Sequence, residues 1–257
     1  NQRQPFPTTA NGNGLVAQIV LFDVDINDFG NMANDLKLTR DFDVGGGTLA
    51  ASFGYYRSSQ SIDMDWLWNS FLLEVSGDNA ALINVFNSAG VAQTQQGLVG
   101  YGATFFGNCC RRSYDVSYDI DAPYVALSWD AGDLIVDASV RYDSGSASGS
   151  YTDGIVTTRD ISGDGIIQPP ERLVTVIDFA NVRPVDYEWD YFSYSVGANY
   201  RINDDIAVFG RASRGGRANA DRLLFSPSIT RSGDILNDDA AVDMVDQYEA
   251  GIRYRGP

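Results

Sequence analysis

With 257 residues, 18 basic against 34 acidic, the chain carries a formal charge of −16, which argues against duplex nucleic acid as a partner. It has no histidine, so the usual general base and the commonest zinc ligand are missing, and neither a Ser-His-Asp nor a Cys-His mechanism can be assembled. No apolar run is long enough for a transmembrane helix, which says nothing against a β-barrel, whose signal per strand is weak.

In chain order, residues 1–14 are polar and loop-like, 15–24 are apolar and read as a strand or a buried connection, and 25–34 read as a loop rich in Asp and Asn. Residues 35–44 alternate: Leu36, Leu38, Phe42 and Val44 share a face with Arg40, opposite Asp35, Lys37, Thr39, Asp41 and Asp43. A period of two is the signature of an extended strand with two unlike sides. Gly45 to Gly47 is a tight turn, and Leu49, Ala51, Phe53 and Tyr55 then share a face. From 62 to 112 the alternation is lost, and 78–86 is predicted as a short helix capped by Asp78 or Asn79. The only cysteines are the neighbours Cys109 and Cys110, to which we assign a structural role and no chemistry.

Alternation returns with Tyr114, Val116, Tyr118, Ile120, Ala122 and Tyr124 on one face and Asp115, Asp119 and Asp121 on the other. A turn at Asp130 to Asp133 leads to Leu134, Val136, Ala138, Val140 and Tyr142 on one face, with Asp137, Ser139, Arg141 and Asp143 opposite. After an irregular stretch over 151–188 comes the clearest hairpin. Phe192, Tyr194, Val196, Ala198 and Tyr200 alternate with Ser193, Ser195, Gly197, Asn199 and Arg201; Ile202 to Asp205 turn; and the pattern resumes from Ile206. A third irregular stretch covers 215–244, and Tyr248, Ala250, Ile252 and Tyr254 close the pattern.

Tight turns and long connections therefore alternate strictly, which puts the tight turns at one end of the sheet and the long loops (62–112, 151–188 and 215–244) at the other. Outer-membrane barrels have this asymmetry, whereas sandwiches have connections of more even length. Strands of about ten residues suffice to cross a bilayer when tilted. Tyr and Trp near strand ends, such as Trp129, Trp189 and Tyr200, suit interfacial girdles. The expected fold is an all-β, antiparallel, up-and-down transmembrane barrel segment with short periplasmic turns and long extracellular loops. It expects the faces holding Tyr118, Val140, Val196 and Ile252 to form one exposed apolar band.

The hairpin SYSVGANYRINDDIAVFGRASRGGRA, with Tyr200-Arg201, Asn203-Asp204-Asp205 and Ser213-Arg214-Gly215, resembles the barrel hairpins of TonB-dependent outer-membrane receptors. Residues 245–256 (VDQYEAGIRYRG) and 34–56 are similar to further strands of that family, so the resemblance covers most of the chain. It implies a barrel of about 22 strands plugged by an N-terminal domain. It further implies import of a scarce solute, a carbohydrate or a siderophore, across the outer membrane of a Gram-negative bacterium with energy passed on by TonB. The implied partners are outer-membrane lipid, the small-molecule substrate and the TonB system acting through the plug. The chain departs from the family in showing about seven strands, no plug domain and no TonB-interacting segment. With no initiator Met or signal peptide at Asn1, it is expected to be a partial barrel over 1–257.

One stretch carries metal chemistry. Residues 160–171, DISGDGIIQPPE, fit the twelve-residue calcium loop of an EF-hand. Asp160, Ser162 and Asp164 would give side-chain oxygens, Ile166 its carbonyl, Gln168 a direct or water-bridged contact and Glu171 a bidentate carboxylate, with Gly165 at the sharp bend. Pro169 and Pro170 replace the exiting helix, and an acidic Asp/Gly turn that binds nothing is the competing reading. Arg211, Arg214, Arg217 and Arg222 can contact an anionic or sugar ligand, or balance carboxylates such as Asp137 and Glu249. Trp66 and Trp68, with Phe71 and Tyr101, can stack on a sugar or form their loop's own small core. Two rivals to the active receptor remain at this stage: a passive porin-like channel, and a secreted, soluble, calcium-binding β-sandwich with its apolar faces packed against a second sheet. An enzyme is set aside because no nucleophile–base pair can be named.

Overall fold

A computed structural model describes residues 15–76, 80–107, 109–218, 229–237 and 241–256. The strands are β1 (Val16–Val44), β2 (Gly47–Glu74), β3 (Ala81–Leu82), β4 (Leu98–Gly100), β5 (Arg112–Asp130), β6 (Leu134–Thr152), β7 (Gly154–Thr157), β8 (Val174–Ile177), β9 (Arg183–Arg201), β10 (Ile206–Ala218) and β11 (Val242–Tyr254). Their main path runs β1-β2-β5-β6-β9-β10-β11, each strand beside its successor; β3 and β4 add to β2, and β7 and β8 form a separate hairpin. The chain is thus the all-β, antiparallel, up-and-down barrel segment that the alternation predicted, and no second sheet of sandwich size exists among the described residues.

Turn chemistry sets the register. Gly45 and Gly46 have φ of +61° and +79°, the two left-handed residues that a two-residue hairpin matching strand twist demands. At 130–134 the Asp130 carboxylate accepts the Gly132 amide, and the Ala131 amide donates to the Leu134 carbonyl. At 202–206 the Asn203 side chain accepts the amides of Asp205 and Ile206. All three are short Asx- or Gly-built reversals.

Several expectations need correction. Residues 25–34 are not a loop: β1 runs unbroken from Val16, because backbone pairing does not require side-chain alternation. The strands also extend further into the long connections than alternation indicates, to Glu74 in β2 and Thr152 in β6. No helix stands at 80–86 (Asp78 and Asn79 lie outside the described residues). Instead Ile83 and Val85 are buried at a spacing of two, and the Asn84 side chain accepts from Thr94 and from the Gly97 amide.

The described chain packs as two compact units. Among the described residues, one comprises those within 15–28, 62–115 and 150–183, the other those within 29–61, 116–149 and 184–256. The first has a packed interior in which Tyr114 contacts Trp66 and Tyr151 edge-on or tilted, at ring separations of 6.5 and 5.3 Å. Trp66 is itself buried, beside Phe22 and Trp68.

The second unit presents two unlike faces. Leu36, Leu38, Phe42, Val44, Phe53, Val140, Phe192, Tyr194, Val196, Tyr200, Tyr248, Ile252 and Tyr254 are exposed. Register aligns part of this band: Val208 stands between Tyr200 and Ile252, and Ala212 between Val196 and Tyr248. Val140, Val196 and Ile252 are 46%, 48% and 74% exposed, as a lipid-facing band requires, but Tyr118 is only 5% exposed. The even residues of β5 lie on the other side of the sheet. Tyr124 lies over Gly54 of β2, where a Cβ would strike its ring, and its hydroxyl donates to Asp35. Phe209 lies likewise over Gly251, and Trp189 over Gly145. The exposed large apolar residues of β5 are therefore Val125 and Leu127, while Tyr114 and Tyr118 are buried on the other side and Tyr124 fills the gap at Gly54.

Candidate functional site

The face opposite the apolar band carries the polar pairs of the second unit. Thr39 and Ser52 hydroxyls meet at 2.8 Å. Arg141 holds Asp143 through Nε and Nη2 at 2.7–2.9 Å and lies 4.9 Å from the Tyr56 ring centroid. Arg211 donates to Ser195 Oγ at 3.0 Å and to both oxygens of Asp137 at 2.9 and 3.1 Å. Strand order places β9 between the strands of Arg211 and Asp137, so this bridge crosses β9, and it does so at Gly197. A Cβ there would come within 3.2 Å of Asp137 and 3.4 Å of Arg211, so the missing side chain clears the lane. Both partners are about one-third to one-half exposed, a wet pair of modest worth that fixes geometry more than it adds stability.

The remaining arginines named from sequence divide. Arg214 stands 3.9 Å from Asp246, and Arg217 is opposite Asp243 in the β10–β11 register. Arg222 lies outside the described residues. Thus Arg211 and Arg214 each face a carboxylate. Sequence reasoning missed a further set, Arg201, Arg253 and Arg255, which line one concavity at the 202–205 turn. Their signal was present in the parity: Arg201 and Arg253 are odd-numbered strand residues flanked by apolar even ones, and Arg255 continues that parity just past β11.

In the first unit Trp66 is buried and Trp68 half-buried, with the Phe22 ring tilted against Trp68 at a centroid separation of 3.9 Å. Arg111 donates to Asn69 and to the Trp68 carbonyl and sits 5.8 Å from the Tyr101 ring centroid. Burial is the main cause that pushes the Tyr101 hydroxyl above its ordinary pKa. Arg183 pairs with Asp153 and lies 5.3 Å from the Tyr151 ring. Cys109 and Cys110 are bonded to each other, and Cys110 has a φ of +142°.

The 160–171 loop hangs from the β7–β8 hairpin and is closed by its own carboxylates. Asp160 accepts the amides of Gly163 and Gly165 at 2.6 and 2.7 Å and the Ser162 hydroxyl at 3.2 Å. Asp164 accepts the Ile166 amide and the Gln168 side chain. Glu171 is fully buried. It accepts the amides of Ile161 and Ser162 on one oxygen and that of Gln168 on the other, closing a capping box on the short 3₁₀ turn Pro169–Leu173. Hydrogen bonds to the charged form hold both Asp160 and Glu171 below the ordinary carboxylate range: the Gly165 amide is the main cause for Asp160, the Gln168 amide for Glu171. Gly165, at a φ of +82°, makes the bend expected of it. Among the described residues no three Asp, Glu, His or Cys side chains gather as a ready metal site. The six ligand positions named from sequence thus share one loop, with Glu171 turned onto backbone amides.

Comparison with known proteins agrees with this architecture. A family model described as TonB dependent receptor-like, beta-barrel, matches residues 1–257. No curated protein and no solved structure matches the chain.

Proposed function

The chain belongs to the TonB-dependent receptor-like β-barrel family, and on that premise we propose that it is barrel wall of an outer-membrane receptor of a Gram-negative bacterium, importing a scarce solute, a carbohydrate or a siderophore, with energy passed on by TonB. Members of the family are transporters of the outer membrane rather than enzymes. The observation that carries the reading is the opposition of faces in the second unit, with the Val140–Val196–Ile252 side exposed and apolar and the Arg211–Asp137–Ser195 side polar. Lipid on one side and a wet lumen on the other is the arrangement that stabilises both. The short turns would then face the periplasm and the long connections the exterior. The test is uptake by cells expressing the full-length protein, with and without an intact TonB system. Uptake that vanishes without TonB supports active import. Uptake indifferent to TonB makes the protein a passive channel.

We further propose that the 160–171 loop takes calcium, which would stiffen a segment lacking a core of its own. The spacing of oxygen ligands, the left-handed Gly165 at the sixth position and the Asp160–Gly165 contact support this. The ion would have to draw Glu171 partly away from its amides. Limited proteolysis of the full-length protein in calcium and in chelator tests it. Protection between 158 and 173 in calcium, lost in Glu171→Gln, is the expected result, and identical cleavage in both buffers ends the idea.

A further inference from the structure

Arg201, Arg253 and Arg255 stand apart from three other arginines of the second unit. Arg141, Arg211 and Arg214 each lie within 4.0 Å of a carboxylate, while these three form no ion pair within that distance among the described residues. Register brings them together. Ala207 of β10 is opposite Arg201 of β9 on one side and opposite Arg253 of β11 on the other, so two guanidiniums flank one methyl group. Arg201 and Arg253 face each other across β10, and like charges so placed repel. Arg255 joins from just past the end of β11, its amide tied to the Asp205 carbonyl.

These residues enclose a concavity of about 590 Å³, with Asn199, Asn203 and Tyr254 among the others that line it. Ala207, a small residue, lies in its lining between the two arginines. Beyond the lining, the Phe209 ring is held down over Gly251, with Arg253 5.4 Å from its centroid. Asn199 Oδ1 is buried with no hydrogen-bond partner and lines the same concavity, an acceptor awaiting a donor. Asp204 and Asp205 also line it, which leaves three positive charges against two and favours a ligand of low negative charge over a polyanion. Guanidinium forks match the planar, two-oxygen geometry of carboxylates.

From this row we infer that the Arg201–Arg253–Arg255 concavity is a carboxylate-binding site on the polar face, taking a small organic acid that also carries a hydrogen-bond donor. The inference deepens the transport reading and rests on it: the imported solute, or the group by which it is held at the turn end of the strands, is a carboxylate. Binding is charge-assisted and weakens as ionic strength rises.

The experiment uses the full-length protein in detergent, with succinate as probe and its uncharged diamide as control. Succinate binds and the diamide does not. Arg201→Gln/Arg253→Gln weakens succinate binding by about tenfold or more, the loss expected for charge-assisted contacts, and Arg141→Gln, whose guanidinium is engaged with Asp143, leaves it unchanged. Inorganic phosphate that displaces succinate at equal concentration would overturn the carboxylate preference. Equal binding by wild type and the double variant would overturn the site, as would no succinate binding by correctly folded wild type, the result expected if an acidic segment of the same protein fills the row. Outer-membrane insertion and TonB-dependent uptake, followed in the same strains, separate the two claims. A folded, inserted, uptake-competent protein without succinate binding loses only this inference, while a protein that never inserts loses the transport reading.

Discussion

The largest fully buried side chains, Tyr114, Tyr151, Glu171, Val174, Thr175 and Ser70, all belong to the first unit, whereas the second unit turns Phe192, Val196, Tyr248 and Ile252 outward. Both units are built from the same kind of extended, aromatic-rich strand. The first is arranged as a water-soluble interior, with rings packed on rings and a buried carboxylate satisfied by three amides. The second has an exposed apolar face opposite a polar one, the pairing that a wall between lipid and water needs. Period-two alternation says that a strand has two unlike sides; it does not say which side meets which medium.

Four perturbations would break or sharpen this contrast. The largest effect is expected from Tyr114→Ala, which removes a ring that is 2% exposed and packed on Trp66 and Tyr151. A loss of about 3–5 kcal/mol is typical of such truncations, and it should be confined to the first unit. Protease cleavage within 75–111 should appear while outer-membrane insertion persists; loss of insertion would mean that the units are not separable. Next comes Val196→Arg, which puts a charge on the exposed band. A cost of about 2–4 kcal/mol applies if that position sits near the bilayer midplane, read as a shifted urea midpoint for folding into lipid vesicles. The same substitution would be nearly silent if the band faced water.

A third test concerns pH. Asp160 and Glu171 are held below the ordinary carboxylate range, so their contribution to the 158–173 loop is complete above the unfolded value of about 4 and is lost as pH falls through their depressed values. Hydrogen exchange of the Ile161, Ser162 and Gly165 amides should therefore accelerate only on the acid side, while β9–β11 amides stay protected. Acceleration on the alkaline side would remove the assignment. The smallest effect is expected from Asn203→Ala, which strips two turn amides of one acceptor. About 1 kcal/mol is lost, seen as a small drop in the same folding midpoint.

The three tight turns were legible from sequence because Gly-Gly and Asx reversals are local chemistry, and so were the faces of β9 over 192–201, of β10 over 206–213 and of β11 over 247–254, where the alternation runs. The course of β1 through Asp25 to Asn34 was not, since ladder hydrogen bonds are indifferent to polar side chains. Nor was the side taken by Tyr118, which follows from Tyr124 filling the gap at Gly54, a relation between residues seventy apart in the chain. The calcium-like spacing was visible, but that Glu171 caps the Pro169–Leu173 turn depends on how the loop closes. The Arg201–Ala207–Arg253 row became visible only when the registers on both sides of β10 were known.

The glycines lying under aromatic rings have a consequence for how strands find their partners. A slip of one residue is punished at once, because it swaps the two faces; a slip of two keeps every apolar residue outward and passes that inspection. The rings do not let it pass. Moving β2 by two would bring Ser52 or Tyr56 under Tyr124 in place of Gly54, and moving β11 would bring Glu249 or Arg253 under Phe209 in place of Gly251. Each such pair works as a key cut for one notch, proofreading the one class of misalignment to which hydrophobic patterning is blind.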